Sequence, residues 1–249
     1  MSGPPLVAVA HGSRDPRSAA TVRELVAAVR RSAPELDVRT AFLDLSEPRV
    51  TTVLRELHAE GHAEAVVVPL LLGSAFHARV DLPALVAEVT ARRPGFRVSV
   101  SEVLGADPAL QAVALDRLAA TGVELDDPEL GIVLAAVGSS STEANAVVSG
   151  LARHWRRRLP VAGTSGLVAP AFASAARPDV PAALAELRAR GARRIAVASW
   201  FLAPGLLPDR IAALAGNVPM AAPLGPEPRV AELVLRRYQQ ALAVRAVSA

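Results

Sequence analysis

The chain carries one plan twice. Residues 42–69, FLDLSEPRVTTVLRELHAEGHAEAVVVP, align without a gap on residues 172–199, FASAARPDVPAALAELRARGARRIAVAS. Phe42/Phe172, Pro48/Pro178, Val50/Val180, Leu54/Leu184, Glu56/Glu186, Leu57/Leu187, Gly61/Gly191 and Val67/Val197 coincide at an offset of 130 positions. Upstream the offset is 126, pairing Gly12-Ser13 with Gly138-Ser139. Near the end of each copy it is 120, pairing Leu104-Gly105 with Leu224-Gly225. Loops that differ by a few residues account for the drift. A repeat of this length constrains architecture before any local pattern does, because one fold must accommodate both copies.

Within a copy, short apolar runs alternate with amphipathic stretches. Leu6–Ala10 reads as a strand. Asp15-Pro16 then supplies a capping carboxylate and a proline at the first helical position, and Val22, Leu25, Val26 and Val29 mark one helical face. Leu36–Leu43 predicts a second strand, followed by a helix that Ser46 or a neighbour caps and Gly61 ends. Ala65–Leu71 is apolar on both faces, as expected of a central parallel strand covered by helices. A loop from Leu72 to Arg79, a helix capped by Asp81, a strand near Arg97–Val103 and a helix from Asp107 complete the order βαβαβαβα. The second copy predicts strands near 131–137, 161–169, 194–200 and 217–221, with a last helix over about 227–244.

Strands and helices alternating on short connections imply right-handed crossovers and a parallel sheet with helices on both faces. The expected fold class is therefore α/β, as two tandem doubly wound parallel-sheet domains related by a pseudo-twofold. The polar, acidic stretch TGVELDDPEL at 121–130 marks their junction. It separates an N-terminal domain, 1–122, from a C-terminal one, 130–249, through a linker at 123–129. At 249 residues and 51% apolar, the chain can supply two cores.

Composition closes several routes. Cysteine is absent, so disulfides, iron–sulfur clusters and thiolate zinc sites are out of reach, and any metal must use His, Asp or Glu. The sequence pI of about 10.7 looks like a nucleic-acid signal, yet the net charge is only +3. All 27 basic residues are arginine, so almost nothing titrates between neutral and strongly alkaline pH and a small excess of charge gives a high pI. Aromatic residues make up 3% and offer few platforms for bases. The basic run Arg153-His154-Trp155-Arg156-Arg157-Arg158 reads as a solvated helix end. No stretch reaches the roughly 20 apolar residues that span a bilayer. The expectation is a soluble, cytoplasmic protein with no nucleic-acid or membrane partner.

In open parallel sheets, ligands bind beyond the carboxyl ends of the strands. His11 follows the first strand in AVAHGSRDPRS, Asp44 follows the second, and His77 lies in the loop after the third in VVVPLLLGSAFHARVDLP. If the second and third strands flank the first, at about 4.8 Å each, all three side chains reach one edge. Two imidazoles and a carboxylate suit a first-row divalent metal with positions left open. The second copy has Val137, Ser174 and Leu207 at the matching places, so the three groups are missing together. His58 and His62 have the i, i+4 spacing of a helical metal pair, but Gly61 ends the helix between them. No arginine directly precedes His11, and neither GxxxxGK[ST] nor GxGxxG occurs, which argues against phosphoryl transfer and dinucleotide binding.

This arrangement resembles the sirohydrochlorin chelatase family, the cobalt- and iron-inserting enzymes of cobalamin and siroheme synthesis. The matching residues are His11-Gly12-Ser13, Phe42-Leu43-Asp44 with Glu47-Pro48, and Pro69-Leu70-Leu71-Leu72 before Gly73. They continue with His77, Arg79-Val80-Asp81-Leu82-Pro83 and Leu104-Gly105. The first 110 residues match closely and the remainder as a degenerate copy. The resemblance implies a lyase that inserts Co2+ or Fe2+, with Ni2+ as a further candidate, into sirohydrochlorin with loss of two pyrrole protons. It places metal handling and catalysis on His11, His77 and Asp44. The acidic position is usually glutamate in the family, and aspartate here is one methylene shorter. No cofactor is bound permanently, since the metal is a substrate.

The macrocycle's carboxylates need donors. Gly12, Ser13 and Arg14 sit at a helix start, Gly73, Ser74 and Arg79 flank His77, and Ser139 and Ser140 form a hydroxyl-rich loop in the second copy. A non-catalytic tetrapyrrole or metal carrier is the alternative reading. Fusion of two copies suggests a monomer with internal pseudo-symmetry.

Overall fold

The computed structural model describes residues 3–73, 80–159 and 166–248. In chain order its elements are β1 (Leu6–Ala10), α1 (Pro16–Ser32), β2 (Val38–Phe42), α2 (Val50–Ala59), β3 (Glu64–Pro69), α3 (Leu82–Thr90), β4 (Arg97–Val100) and α4 (Pro108–Ala119). The second repeat gives β5 (Leu130–Ala136), α5 (Thr142–Arg158), β6 (Leu167–Phe172), α6 (Val180–Ala189), β7 (Arg194–Ser199), α7 (Leu206–Ala215) and α8 (Pro228–Ser248). The α/β class with two parallel sheets is as expected.

Contacts divide the chain into two units, one of Met1–Ala109 with Gly225–Ala249 and one of Leu110–Leu224. Each repeat's last helix is thus grouped with the unit built on the other repeat. In the first unit the strands run parallel in the order β2-β1-β3-β4. All five residues of β1 are buried because both faces of the sheet are covered. On one face Val53, Leu54 and Leu57 of α2 and Leu82, Val86 and Val89 of α3 pack with Val7, Val9, Ala41 and Val67. On the other lie α1, whose stripe Val22, Leu25, Val26 and Val29 is buried as spaced, and α8. Helix α8 is tied in by polar contacts too. The Tyr238 hydroxyl donates to Pro4 O at 2.7 Å, and the Arg237 guanidinium donates to Val103 O at 2.9 Å and Leu104 O at 3.1 Å.

The second unit has a three-stranded parallel sheet, β6-β5-β7. Val133, Ala135, Ala169, Ala171 and Val197 meet α6 and α7 through Val180, Ala183, Leu184, Leu187 and Ile211. Helix α5 packs on β5 and β6, and its buried Trp155 donates through Nε1 to Gln111 Oε1 of α4 at 3.2 Å.

Three local expectations, one strand and two helix caps, are corrected, and one further strand is described only in part. The fourth strand of the second repeat, expected near 217–221, is a single bridge between Val197 and Met220. Pro219 and Pro223 flank that residue and cannot donate to a ladder, so pairing stops after Val197 N–H to Pro219 O and Ala221 N–H to Val197 O, both 2.8 Å. The strand expected over 161–169 is β6, beginning at Leu167; residues 161–165 lie outside the described ones. Its internal Pro170 fits because β6 is an edge strand. Ser46 does not cap α2, and Asp81, already helical at φ −66 and ψ −50, makes no capping bond to α3. Among the described residues, no helix is long and apolar enough to cross a membrane.

Candidate functional site

The site grows out of the carboxyl edge of the first sheet. Pairing between β1 and β2 continues one step past both strands, with Leu43 N–H donating to Ala10 O and Asp44 N–H to His11 O, each at 2.9 Å. His11 and Asp44 are thereby held side by side. Gly12 follows at φ +94, where a Cβ would lie 1.6 Å from Asp44 O, so only glycine lets the two loops touch. Ser46 locks them together: its Oγ accepts from Ser13 N–H and donates to Ser13 O, both at 3.1 Å. Ser13 Oγ in turn accepts from Asp15 N–H at 3.0 Å. Asp15 caps α1 through Arg17 N–H, as expected, and also receives the Arg17 guanidinium. Ser13 therefore serves first as a loop brace, while Arg14 is exposed at the same edge.

Asp44 is more than half exposed, with its side chain 57% accessible. Its Oδ1 accepts from Leu45 N–H at 2.8 Å and from Arg49 Nη1 at 2.6 Å. The Leu45 N–H holds the carboxyl below its ordinary range, helped by the Arg49 guanidinium, against an opposing effect of burial. Asp44 is therefore ionised at neutral pH. The same contact raises the pKa of Arg49. His11 is partly buried, with Nδ1 shielded from solvent.

The third expected group, His77, lies outside the described residues, as do Ser74 and Arg79. The described chain that precedes them ends at the same sheet edge. β3 flanks β1 on the side away from β2, and Leu70 N–H still donates to Val9 O at 2.8 Å. Gly73 follows three residues on, and a Cβ there would meet nothing within 4 Å among the described residues.

The second unit reproduces this edge without its chemistry. Ser174 N–H donates to Val137 O at 3.0 Å, and Gly138, at φ +85, would place a Cβ 2.0 Å from Ser174 O. Val137 stands where His11 does and Ser174 where Asp44 does. Ser139 is braced by Asn145, which accepts from Ser139 N–H at 2.9 Å and donates to Ser139 O at 2.7 Å. Ser140 is exposed beside it.

Other clusters do not compete. Asp37, Glu60 and His62 bring three ligand atoms within 4.8 Å of one another at the opposite edge of the first sheet. The Arg39 guanidinium already lies between the two carboxylates, at 2.7 Å from Asp37 Oδ1 and 2.7 Å from Glu60 Oε2, so a fixed cation occupies the place an ion would take. His58 stacks on Phe96 with ring centroids 5.3 Å apart. A cavity of about 320 Å³ opens at the amino end of the second sheet, around Leu130, Leu167 and Arg190, far along the strands from Ser139. Sequence reasoning missed Arg49. The signal was there: Asp44 and Arg49 change together, to Ser174 and Asp179, between the two copies.

Comparison with known proteins finds one family in both repeats. The sequence profile of the family described as CbiX matches residues 5–121 and again 131–241. A sirohydrochlorin ferrochelatase of Bacillus subtilis is 27% identical over 244 residues, covering 94% of this chain and 90% of that protein. A sirohydrochlorin cobaltochelatase of Priestia megaterium is 24% identical over 207 residues, covering 82% of this chain and 65% of that protein. Among solved structures, SirB from Bacillus subtilis with Fe3+ has a TM-score of 0.77 at 25% identity, over 97% of this chain and 96% of that one.

Proposed function

Because the chain belongs to the CbiX family through both of its repeats, we propose that it is a sirohydrochlorin chelatase, inserting Co2+ or Fe2+ into the macrocycle. The observation that carries the reading is the 2.9 Å bond from Asp44 N–H to His11 O, which sets the residues that carry an imidazole and an ionised carboxylate next to each other at a sheet edge. The other repeat keeps that bond between Ser174 and Val137 and has lost both side chains. The names of its relatives, one iron-inserting and one cobalt-inserting, support the substrate class and leave both metals in play.

The chemistry follows from the donor set. The metal is held through His11, Asp44 and His77, nitrogen and oxygen ligands that suit first-row divalent ions. As the ion passes to the four macrocycle nitrogens, two pyrrole N–H bonds break and two protons must leave. Each metal–imidazole bond that breaks frees a nitrogen lone pair at that moment, so the histidines that present the ion also accept the protons. Asp44 stays charged throughout and balances the incoming cation. Gly12, Ser13, Arg14, Gly73, Ser74 and Arg79 are the proposed partners for the macrocycle's carboxylates, with Ser139 and Ser140 of the second repeat as further donors. The protein works in the cytoplasm as a monomer, with the second repeat in place of a second subunit.

The test is anaerobic incubation of the purified protein with sirohydrochlorin and Co2+, Fe2+ or Ni2+, following the macrocycle's visible spectrum. Metallation should exceed the rate without protein and fall by about 10²-fold or more in His11→Ala and His77→Ala. Near-native rates in both variants, or stoichiometric macrocycle binding without insertion, would reject the assignment. Arg14→Ala should raise the apparent KM for sirohydrochlorin more than it lowers kcat.

A further inference from the structure

The helix after the Asp44 loop begins on a residue that cannot cap it. Position 49 is the N-cap of α2, and an arginine side chain has no acceptor for the first turn, so no side-chain cap bond forms. At the matching position of the second repeat, Asp179 caps α6, accepting from Ala182 N–H at 3.1 Å. The cap is missing only in the copy that holds His11 and Asp44. In its place stands a guanidinium whose Nη1 donates to Asp44 Oδ1 at 2.6 Å and to Leu43 O at 3.0 Å.

Resting on the reading of Asp44 as a metal-handling group, we infer that Arg49 is a positioning residue that restricts Asp44 to one ligating oxygen, so that the metal is bound loosely enough to be handed on. Asp44 Oδ1 is taken by two donors, Leu45 N–H and Arg49 Nη1, at 2.8 and 2.6 Å. An ion that meets this carboxylate meets Oδ2, with a fixed positive charge on the far oxygen. Both features weaken its hold. For an ion that must leave during the reaction, tight binding before transfer only deepens the well from which it has to climb. The arginine and the aspartate are replaced together in the second repeat, as groups serving one task would be.

Arg49→Met removes the charge and the donors at a position whose side chain is 40% accessible and caps nothing. With Co2+ titrated alone and followed by its visible absorption, the variant should bind roughly three- to tenfold more tightly, the scale of one screened charge acting on a divalent ion. Turnover should fall while the KM for sirohydrochlorin stays put. Arg49→Gln should behave the same way, and Arg49→Lys, which keeps the charge and one donor, should stay within about twofold of the parent. The tightening should vanish when Arg49→Met is made in an Asp44→Asn background, because it acts through that carboxylate. Unchanged or weaker Co2+ binding in both neutral variants, or tightening that survives Asp44→Asn, overturns the inference. If Asp44→Asn alone leaves Co2+ affinity untouched, the reading of Asp44 as a ligand fails as well. Weakening in Asp44→Asn without tightening in the Arg49 variants removes the role of Arg49 alone.

Discussion

Gly12 and Gly138 stand at the same place in the two repeats for the same reason, a carbonyl of the neighbouring loop where a Cβ would be. Alanine at either forces the loops apart and adds a left-handed backbone, so each should cost at least about 1–2 kcal/mol in urea unfolding. The two variants should then separate: Gly12→Ala also weakens Co2+ binding, because it parts His11 from Asp44, and Gly138→Ala leaves it alone. Equal loss of metal in both would remove the link between loop contact and site. At this scale the sequence was informative wherever the copies differ. His11 against Val137 and Asp44 against Ser174 could be read from alignment of the chain with itself. Arg49 could not be assigned a role that way, because its partner lies five residues back across a loop whose path no periodicity records. Ser46 shows the same limit: its hydroxyl suits a helix cap, and its actual partner, Ser13, is 33 residues distant.

Helices α1 and α5 are both 17 residues long and open on the same kind of cap, Asp15 and Ser141. Near their ends, Arg30 and Arg156 both donate to the carbonyl of an edge strand, at 2.6 Å to Val38 O and 2.7 Å to Val168 O. Arg156 thus leaves the solvated basic run, whose members Arg153, Arg157 and Arg158 are exposed. Removing the α5 cap with Ser141→Ala should cost about 0.5–2 kcal/mol in urea unfolding. The α1 cap gives a pH signature. The Arg17 guanidinium, with its backbone N–H, holds the buried Asp15 carboxyl below its ordinary value against the opposing effect of burial. A carboxyl depressed in the folded state contributes stability that is complete above its unfolded pKa of about 3.9 and is lost as pH falls through the lower folded value. The urea midpoint should therefore hold from neutral pH to about 4 and drop below it, and Asp15→Asn should show a smaller drop. An identical acid limb in that variant would dismiss the contribution. These elements were legible because caps, prolines and apolar stripes are local signals. The strand expected at 217–221 does not form because Pro219 and Pro223 outweigh its place in the repeat.

The whole molecule is organised by an exchange that the linear repeat conceals. The family profile ends its two matches at 121 and 241, yet contacts place Gly225–Ala249 with the first unit. Val230, Leu233 and Val234 of α8 are completely buried, and burial of three such side chains stabilises by roughly 5–9 kcal/mol, comparable to the net stability of a domain. Residues 1–122 produced alone should therefore show no cooperative unfolding transition, and a separate peptide of 225–249 should restore one. A cooperative transition for 1–122 alone would show that α8 is dispensable. The sequence by itself determined two copies of one parallel α/β unit, the helices and all but one strand described in them, and which copy keeps the histidine and the carboxylate. Periodicity and residue chemistry are written locally, and self-comparison exposes what was lost. Only the tertiary structure decided which helix closes which core and which donor occupies Asp44. An amphipathic stripe specifies that a face must be covered but not by what, and a hydrogen bond across a loop depends on a backbone path set by the packed sheet beneath it.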